Sequence, residues 1–148
     1  MGYSSTDYYS FGAADGELDY YFFYGDTIAD IISQYTALTG RCPLPQLWTL
    51  GYHQSRWGYS SQQEVLDLAQ NFIDNDLPCD VIHMDIDYMD NYKVFTVDKN
   101  RFPDLTALSD VLHQKGIRLV TIIDPGTKVE NGYHMYEEGI KNNYFAQT

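Results

Sequence analysis

The chain has 148 residues, enough for one domain of ordinary size with a sizeable hydrophobic core. Hydrophobic residues make up 44% and charged residues 20%, a globular balance that excludes both a disordered chain and a disulfide-stapled miniprotein. Lys and Arg number 9 against 21 Asp and Glu, so the net charge of -12 repels phosphate backbones and anionic lipid, and neither nucleic acid nor a membrane is an expected partner.

Residues 1–25 are rich in Tyr, Gly and Asp, and Leu18-Asp19-Tyr20-Tyr21-Phe22-Phe23-Tyr24 reads as a strand closed by Gly25-Asp26. Ile28, Ile31, Ile32, Tyr35 and Leu38 then fall at helical spacing, with Asp26 as N-cap and Gly40 as the stop. The Cys42-Pro43-Leu44-Pro45 run punctuates the chain, and a boundary is expected there: a β-rich segment over 1–25, a connecting helix and linker over 26–44, and an α/β domain over 45–148.

Beyond the prolines, strands alternate with amphipathic helices. Leu47 to His53 reads as a strand, and Gln62 to about Asn75 as a helix capped by Ser60 or Ser61. The apolar run Cys79 to Asp85 suits a buried parallel strand. A second helix is expected from about Asp104 to Lys115, stopped by Gly116. Ile117 to Ile123 is the third strand, ending at Asp124-Pro125-Gly126, and a third helix includes Tyr133 to Ile140. This order predicts parallel strands with right-handed crossovers, in a doubly wound sheet or part of a (β/α)₈ barrel.

Both architectures bind ligands at the carboxyl ends of their strands. Those ends carry His53-Gln54-Ser55-Arg56-Trp57, Asp85-Ile86-Asp87-Tyr88-Met89-Asp90 and Asp124-Pro125. A calcium loop starting at Asp85 fails, because Asp90 stands where Gly is needed and Thr96 where Glu is needed. A magnesium-dependent phosphoryl-transfer site using Asp85 and Asp87 fits locally, with Lys128 as the phosphate cation, but no second acidic pair follows except Glu137-Glu138 on a helix surface. As loop residues, Asp87 and Asp90 also suit simple capping and solvation. His53 stands near a strand end where it could line a pocket, whereas His83 reads as a core histidine. Cys42 and Cys79 form no CxxC and have no neighbouring His pair, so they read as free thiols, and neither a metal nor a cofactor is expected. No apolar run is long enough to span a membrane, and MGYSSTDYYSFG lacks the pattern of a signal peptide.

The ordered set LWTLGYHQSRWGY (47–59), DVIHMDIDYMD (80–90), FTVDKNRFPD (95–104), IIDPGTK (122–128) and NGYHMYEEG (131–139) resembles glycoside hydrolase family 31, particularly its α-glucosidases. The chain departs from the family's usual pattern at Ser55, Val97 and Thr127. The resemblance implies the first three βα units of a TIM barrel, preceded by the edge of a β-sandwich domain. It implies an α-glucoside oligosaccharide as substrate, with Asp85 binding hydroxyls of the terminal sugar and Trp57, Ile86 and Ile122 walling it. Asp87, Asp124 and Arg56 would stand behind these residues.

A retaining glycosidase needs two carboxyl groups about 5–5.5 Å apart. In this family they lie on later barrel strands, and a complete barrel takes roughly 250 residues. The nucleophile and the acid/base are therefore expected beyond Thr148, and the chain alone is expected to be inactive, with an open sheet that favours self-association. The competing reading is a non-catalytic α/β segment that binds carbohydrate or a protein partner.

Overall fold

The computed structural model describes residues 12–146. The chain divides into two compact units, Met1–Leu44 and Pro45–Thr148. In the first, helix α1 spans Ile28–Thr39. Its N-cap is Thr27, one residue later than expected, because the Thr27 hydroxyl accepts from the Asp30 N–H while the Asp30 carboxylate accepts from the Thr27 N–H. That reciprocal capping box satisfies two donors that the helix leaves orphaned, which Asp26 does not do. Phe23 packs edge-on against Tyr35 of this helix at 5.8 Å.

The strand expected over residues 18–24 does not form. Aromatic and aliphatic side chains favour extended backbone, but a strand exists only through ladder hydrogen bonds to a neighbour. The preceding part of that segment, residues 1–11, lies outside the described residues.

The second unit holds β1 (His53–Arg56), α2 (Gln62–Asp74), β2 (Val81–Met84), α3 (Leu105–Gln114), β3 (Arg118–Thr121) and α4 (His134–Lys141). The strands form one parallel sheet in the order β1-β2-β3, as the strand-helix alternation predicts. The first strand lies later than expected. Leu47–Leu50 instead makes a 3₁₀ turn, with hydrogen bonds from Thr49 to Gln46 and from Gly51 to Trp48. Pairing starts only where the Asp80 and Val81 N–H groups reach the Tyr52 carbonyl, while the Asp80 carboxylate accepts from the Tyr52 N–H at 2.9 Å. Apolar composition could not locate that anchor, since Leu47 stays 86% exposed.

The helices are locally specified. Ser61 caps α2 and Asp104 caps α3, each side chain accepting from the N–H three residues on. Beyond α3, Gly116 turns the chain toward β3 with a φ of 79°, a conformation that costs glycine little.

Side chains alternate along a strand, so Ile82 and Met84 share one face of β2 while Val81 and His83 share the other. Ile82 and Met84 join a buried cluster with Val65 and Ala69 of α2, Leu108 and Leu112 of α3, and Phe102. Fully burying an aliphatic or aromatic side chain of this size contributes about 1.5–3 kcal/mol. This cluster therefore holds α2 and α3 on one face of the sheet. The parallel register places Ser55, His83 and Val120 in one row across the opposite face. That face carries Val81, which is buried, together with the row of Ser55, His83 and Val120, and this row lines the site.

Candidate functional site

A cleft of about 290 Å³ opens at the carboxyl ends of the strands. It is lined by His53 and Ser55 of β1, His83, Met84 and Asp85 of β2 and its end, and Val120, Thr121 and Ile122 of β3 and its end. Small-ligand pockets run from about 300 to 1,000 Å³, so this one suits a single sugar-sized ring.

Asp85 follows the last residue of β2 and is half-buried. Its Oδ1 accepts from the Ile86 N–H at 2.7 Å and so caps the 3₁₀ turn over Ile86–Tyr88. Among the described residues no other donor reaches the carboxylate, and it is the single acidic side chain lining the cleft. One oxygen fixes the local backbone while the other remains available to accept from a ligand.

Below Asp85, His83 Nε2 and His53 Nδ1 lie 3.0 Å apart, and the two rings stack at 5.2 Å. Trp48 also stacks with His53, at 6.4 Å between ring centroids. His83 is held below the usual imidazole range, first by desolvation and then by the neighbouring His53.

The rim is tied together by the loops that follow β2 and β3. The Tyr88 hydroxyl donates to the Ile122 carbonyl at 2.7 Å, linking the turn capped by Asp85 to the Ile122 wall. Farther out, Lys93 pairs with Asp90 and Glu130, Lys128 pairs with Glu130, and Lys128 also donates to the Asn91 carbonyl. The Tyr133 hydroxyl donates to the Val94 carbonyl at 2.7 Å inside the protein. Hydrogen bonds from Lys128 and Lys93 hold the Glu130 carboxyl below its usual range, and the bonds that Lys93 donates to Asp90 and Glu130 raise Lys93 above its own. Asn91, Tyr92, Phe95 and Asp124 all take left-handed φ values of 51–59° on these loops, and such non-glycine outliers gather where surrounding contacts over-determine the backbone.

Of the residues singled out from sequence, the structure brings Asp85 and Ile122 together in the cleft. Trp57, just past β1, is 73% exposed and is not among the lining residues, and Ile86 packs against the buried cluster instead. Asp87 has one buried carboxylate oxygen with no hydrogen-bond partner and a long contact of 3.5 Å from the Tyr92 hydroxyl to the other. Arg56 and Asp124 are exposed. His83 is not a core histidine, because the helices cover the face carrying Ile82 and Met84 and leave His83 on the cleft side. Ser55 and Val120 were missed as lining residues. The period of two was the available signal, since His83 and Val120 stand two residues before Asp85 and Ile122 on the same strand faces.

Lys128 is engaged with Glu130 and Asn91 and does not line the cleft, so the cation nominated for phosphoryl transfer is committed elsewhere. Among the described residues, no group of three or more His, Cys, Asp or Glu is placed to hold a metal ion. Cys42 and Cys79 are both free. No helix of the described residues is long and apolar enough to cross a membrane.

A model of the glycosyl hydrolases family 31 TIM-barrel domain matches residues 42–148. "Alpha-glucosidase 2" of Bacillus thermoamyloliquefaciens is 54% identical over 144 residues, which cover 97% of this chain and 18% of that protein. "Neutral alpha-glucosidase AB" of Homo sapiens is 45% identical over 123 residues, covering 83% of this chain and 13% of that protein. Among solved structures, the DNJ-bound glucosidase II alpha subunit superposes with a TM-score of 0.76 at 43% identity, over 82% of this chain and 13% of that one. An alpha-xylosidase from a soil metagenome, complexed with xylose, gives a TM-score of 0.73 at 29% identity, over 81% of this chain and 18% of that one. The chain thus spans less than a fifth of the length of these relatives.

Proposed function

The chain belongs to glycoside hydrolase family 31, and we propose that it forms one sugar-binding wall of an enzyme that removes terminal α-linked glucose from oligosaccharides with retention of configuration. The observation that carries this reading is the Asp85 carboxylate, which has a free oxygen in a ring-sized cleft beside the aliphatic Ile122. A half-buried carboxylate accepts hydroxyl hydrogen bonds, and an analogue lacking those hydroxyls leaves it unpaired, so the group both binds and discriminates. Ile122 supplies apolar contact for the C–H face of the ring. On the family resemblance Trp57 and Ile86 complete the wall, with Asp87, Asp124 and Arg56 behind them. No cofactor is required for this chemistry.

The reacting carboxylates belong to later strands on the family pattern, and a retaining mechanism requires them as nucleophile and acid/base. We therefore expect the 148-residue chain alone to give no turnover of an aryl α-glucoside above a buffer blank. Its open sheet face and the two sheet edges, β1 and β3, favour self-association, which light scattering would register as mass above a monomer. Residues 18–24, with Leu18, Phe22 and Tyr24 exposed, form the edge of the preceding β-sandwich once a neighbouring strand pairs with them.

The test is Asp85→Ala in the active enzyme that carries this chain. Two charge-assisted hydrogen bonds at about 1.5–3 kcal/mol each imply a fall in kcat/KM of about two to four orders of magnitude. Asp85→Asn keeps an oxygen for the Ile86 N–H while removing the charge, which separates sugar binding from the cap. Asp90→Ala, on the loop beyond, should cost far less. Wild-type kcat/KM on a maltose-like substrate for Asp85→Ala would sink the assignment.

A further inference from the structure

We propose that His53 and His83 act as a positioning pair, holding the floor of the sugar cleft through one shared hydrogen bond. The proposal rests on the sugar-binding reading of the cleft. Both rings line the cleft, His53 Nδ1 and His83 Nε2 are 3.0 Å apart, and the rings stack at 5.2 Å. His83 sits in the row with Ser55 and Val120, one row above His53 and one below Asp85. Two residues along a strand rise about 6.6 Å, so His83 lies one sugar-ring dimension beneath the carboxylate and His53 one row lower. Trp48 also stacks against His53.

The chemistry of the contact restricts its proton content. A nitrogen-to-nitrogen hydrogen bond needs one N–H and one lone pair. Two neutral imidazoles satisfy this in either tautomeric arrangement, and each arrangement leaves one free N–H and one free lone pair on the remaining ring nitrogens. A sugar hydroxyl both donates and accepts, so that pair of groups is its complement. One added proton leaves the shared bond charge-assisted. A second puts N–H against N–H, breaks the bond and places two positive charges together.

The surroundings set where that happens. From β2 the titratable group that shares the cleft with the pair is Asp85. From β1 and β3 the cleft-lining neighbours Ser55, Val120, Thr121 and Ile122 are uncharged, as is Trp48 of the turn before β1. Arg118 pairs with Val81, a row lower than His83, and its guanidinium meets His113. Desolvation of His83, and after it the charge of His53, holds the His83 imidazole below its usual range, so His83 resists taking up the proton that would disturb the shared bond.

The experiment measures inhibition by glucose, an uncharged ligand, between pH 5 and 8 in the active enzyme that carries this chain. His83→Phe and His53→Phe keep flat rings in the stack but remove the shared bond. Each is expected to weaken glucose binding about tenfold at pH 7, to change kcat much less, and to flatten the acid-side loss of affinity. The double variant should be no worse than either single one, because both singles remove the same bond. Ring ¹⁵N spectra should show His83 titrating differently once His53 is replaced. Additive losses in the double variant, or two histidines titrating independently, would overturn the pair. Failure of the sugar-binding reading is distinguishable: Asp85→Asn would then leave glucose affinity unchanged, while the ¹⁵N coupling between the histidines persisted.

Discussion

Tyr88→Phe and Tyr133→Phe remove the same atom from two similar hydrogen bonds, and the structure assigns them different costs. Each phenol donates to a backbone carbonyl at 2.7 Å, and each ring is buried, with Tyr88 5% and Tyr133 3% exposed. The acceptors differ. Val94 is only 4% exposed, so its carbonyl loses its donor in a place water does not reach. Leaving a buried acceptor unsatisfied costs about 1–3 kcal/mol. Ile122 is 40% exposed at the open end of β3, where water replaces the phenol, so the loss there falls to the ordinary net value of about 0.5–1.5 kcal/mol. With a urea slope of about 2 kcal/mol/M, Tyr133→Phe should lower the unfolding midpoint by about 1 M and Tyr88→Phe by about half that. Function should follow the opposite order. Tyr88 links the turn capped by Asp85 to the Ile122 wall, so in the active enzyme Tyr88→Phe should raise KM several-fold while Tyr133→Phe barely moves it. The reasoning fails if the two variants lose equal stability, or if Tyr88→Phe proves the less stable.

The Glu130 ion pairs should appear in the acid stability profile. Glu130 has a depressed folded-state pKa, so its contribution is fully present above the unfolded carboxyl value of about 4.3 and fades as pH falls below it through the folded value. Thermal scans of Glu130→Gln should therefore show a shallower loss of stability below about pH 4.3 than the parent, with the difference from the parent largest near neutral pH and reduced by salt. Gly51→Ala should lower the unfolding midpoint by an amount equivalent to about 1–2 kcal/mol, because the new methyl would overlap the Asp80 carboxylate that accepts from the Tyr52 N–H. Asp80→Ala in the same background should add little, since the contact is already lost.

The helices were legible because their signals are local. Thr27, Ser61 and Asp104 cap the helices within one or two residues of where the apolar periodicity begins, and Gly40 and Gly116 sit just past the ends. The parallel order of the strands was equally legible, since strand-helix alternation with right-handed crossovers leaves few other arrangements. Asp85 stood out as the polar residue that closes an apolar run, whereas Ile122 lies inside such a run and was named only through the family resemblance. The strand over 18–24 could not be settled from its own residues, because extended propensity does not supply a hydrogen-bonding neighbour. The start of β1 depended on Asp80, 28 residues away, gripping the Tyr52 N–H. The face of each strand depended on where α2 and α3 came to rest: their packing on Ile82 and Met84 turned His83, Ser55 and Val120 toward the cleft, and alternation alone says only that one of two faces is inside.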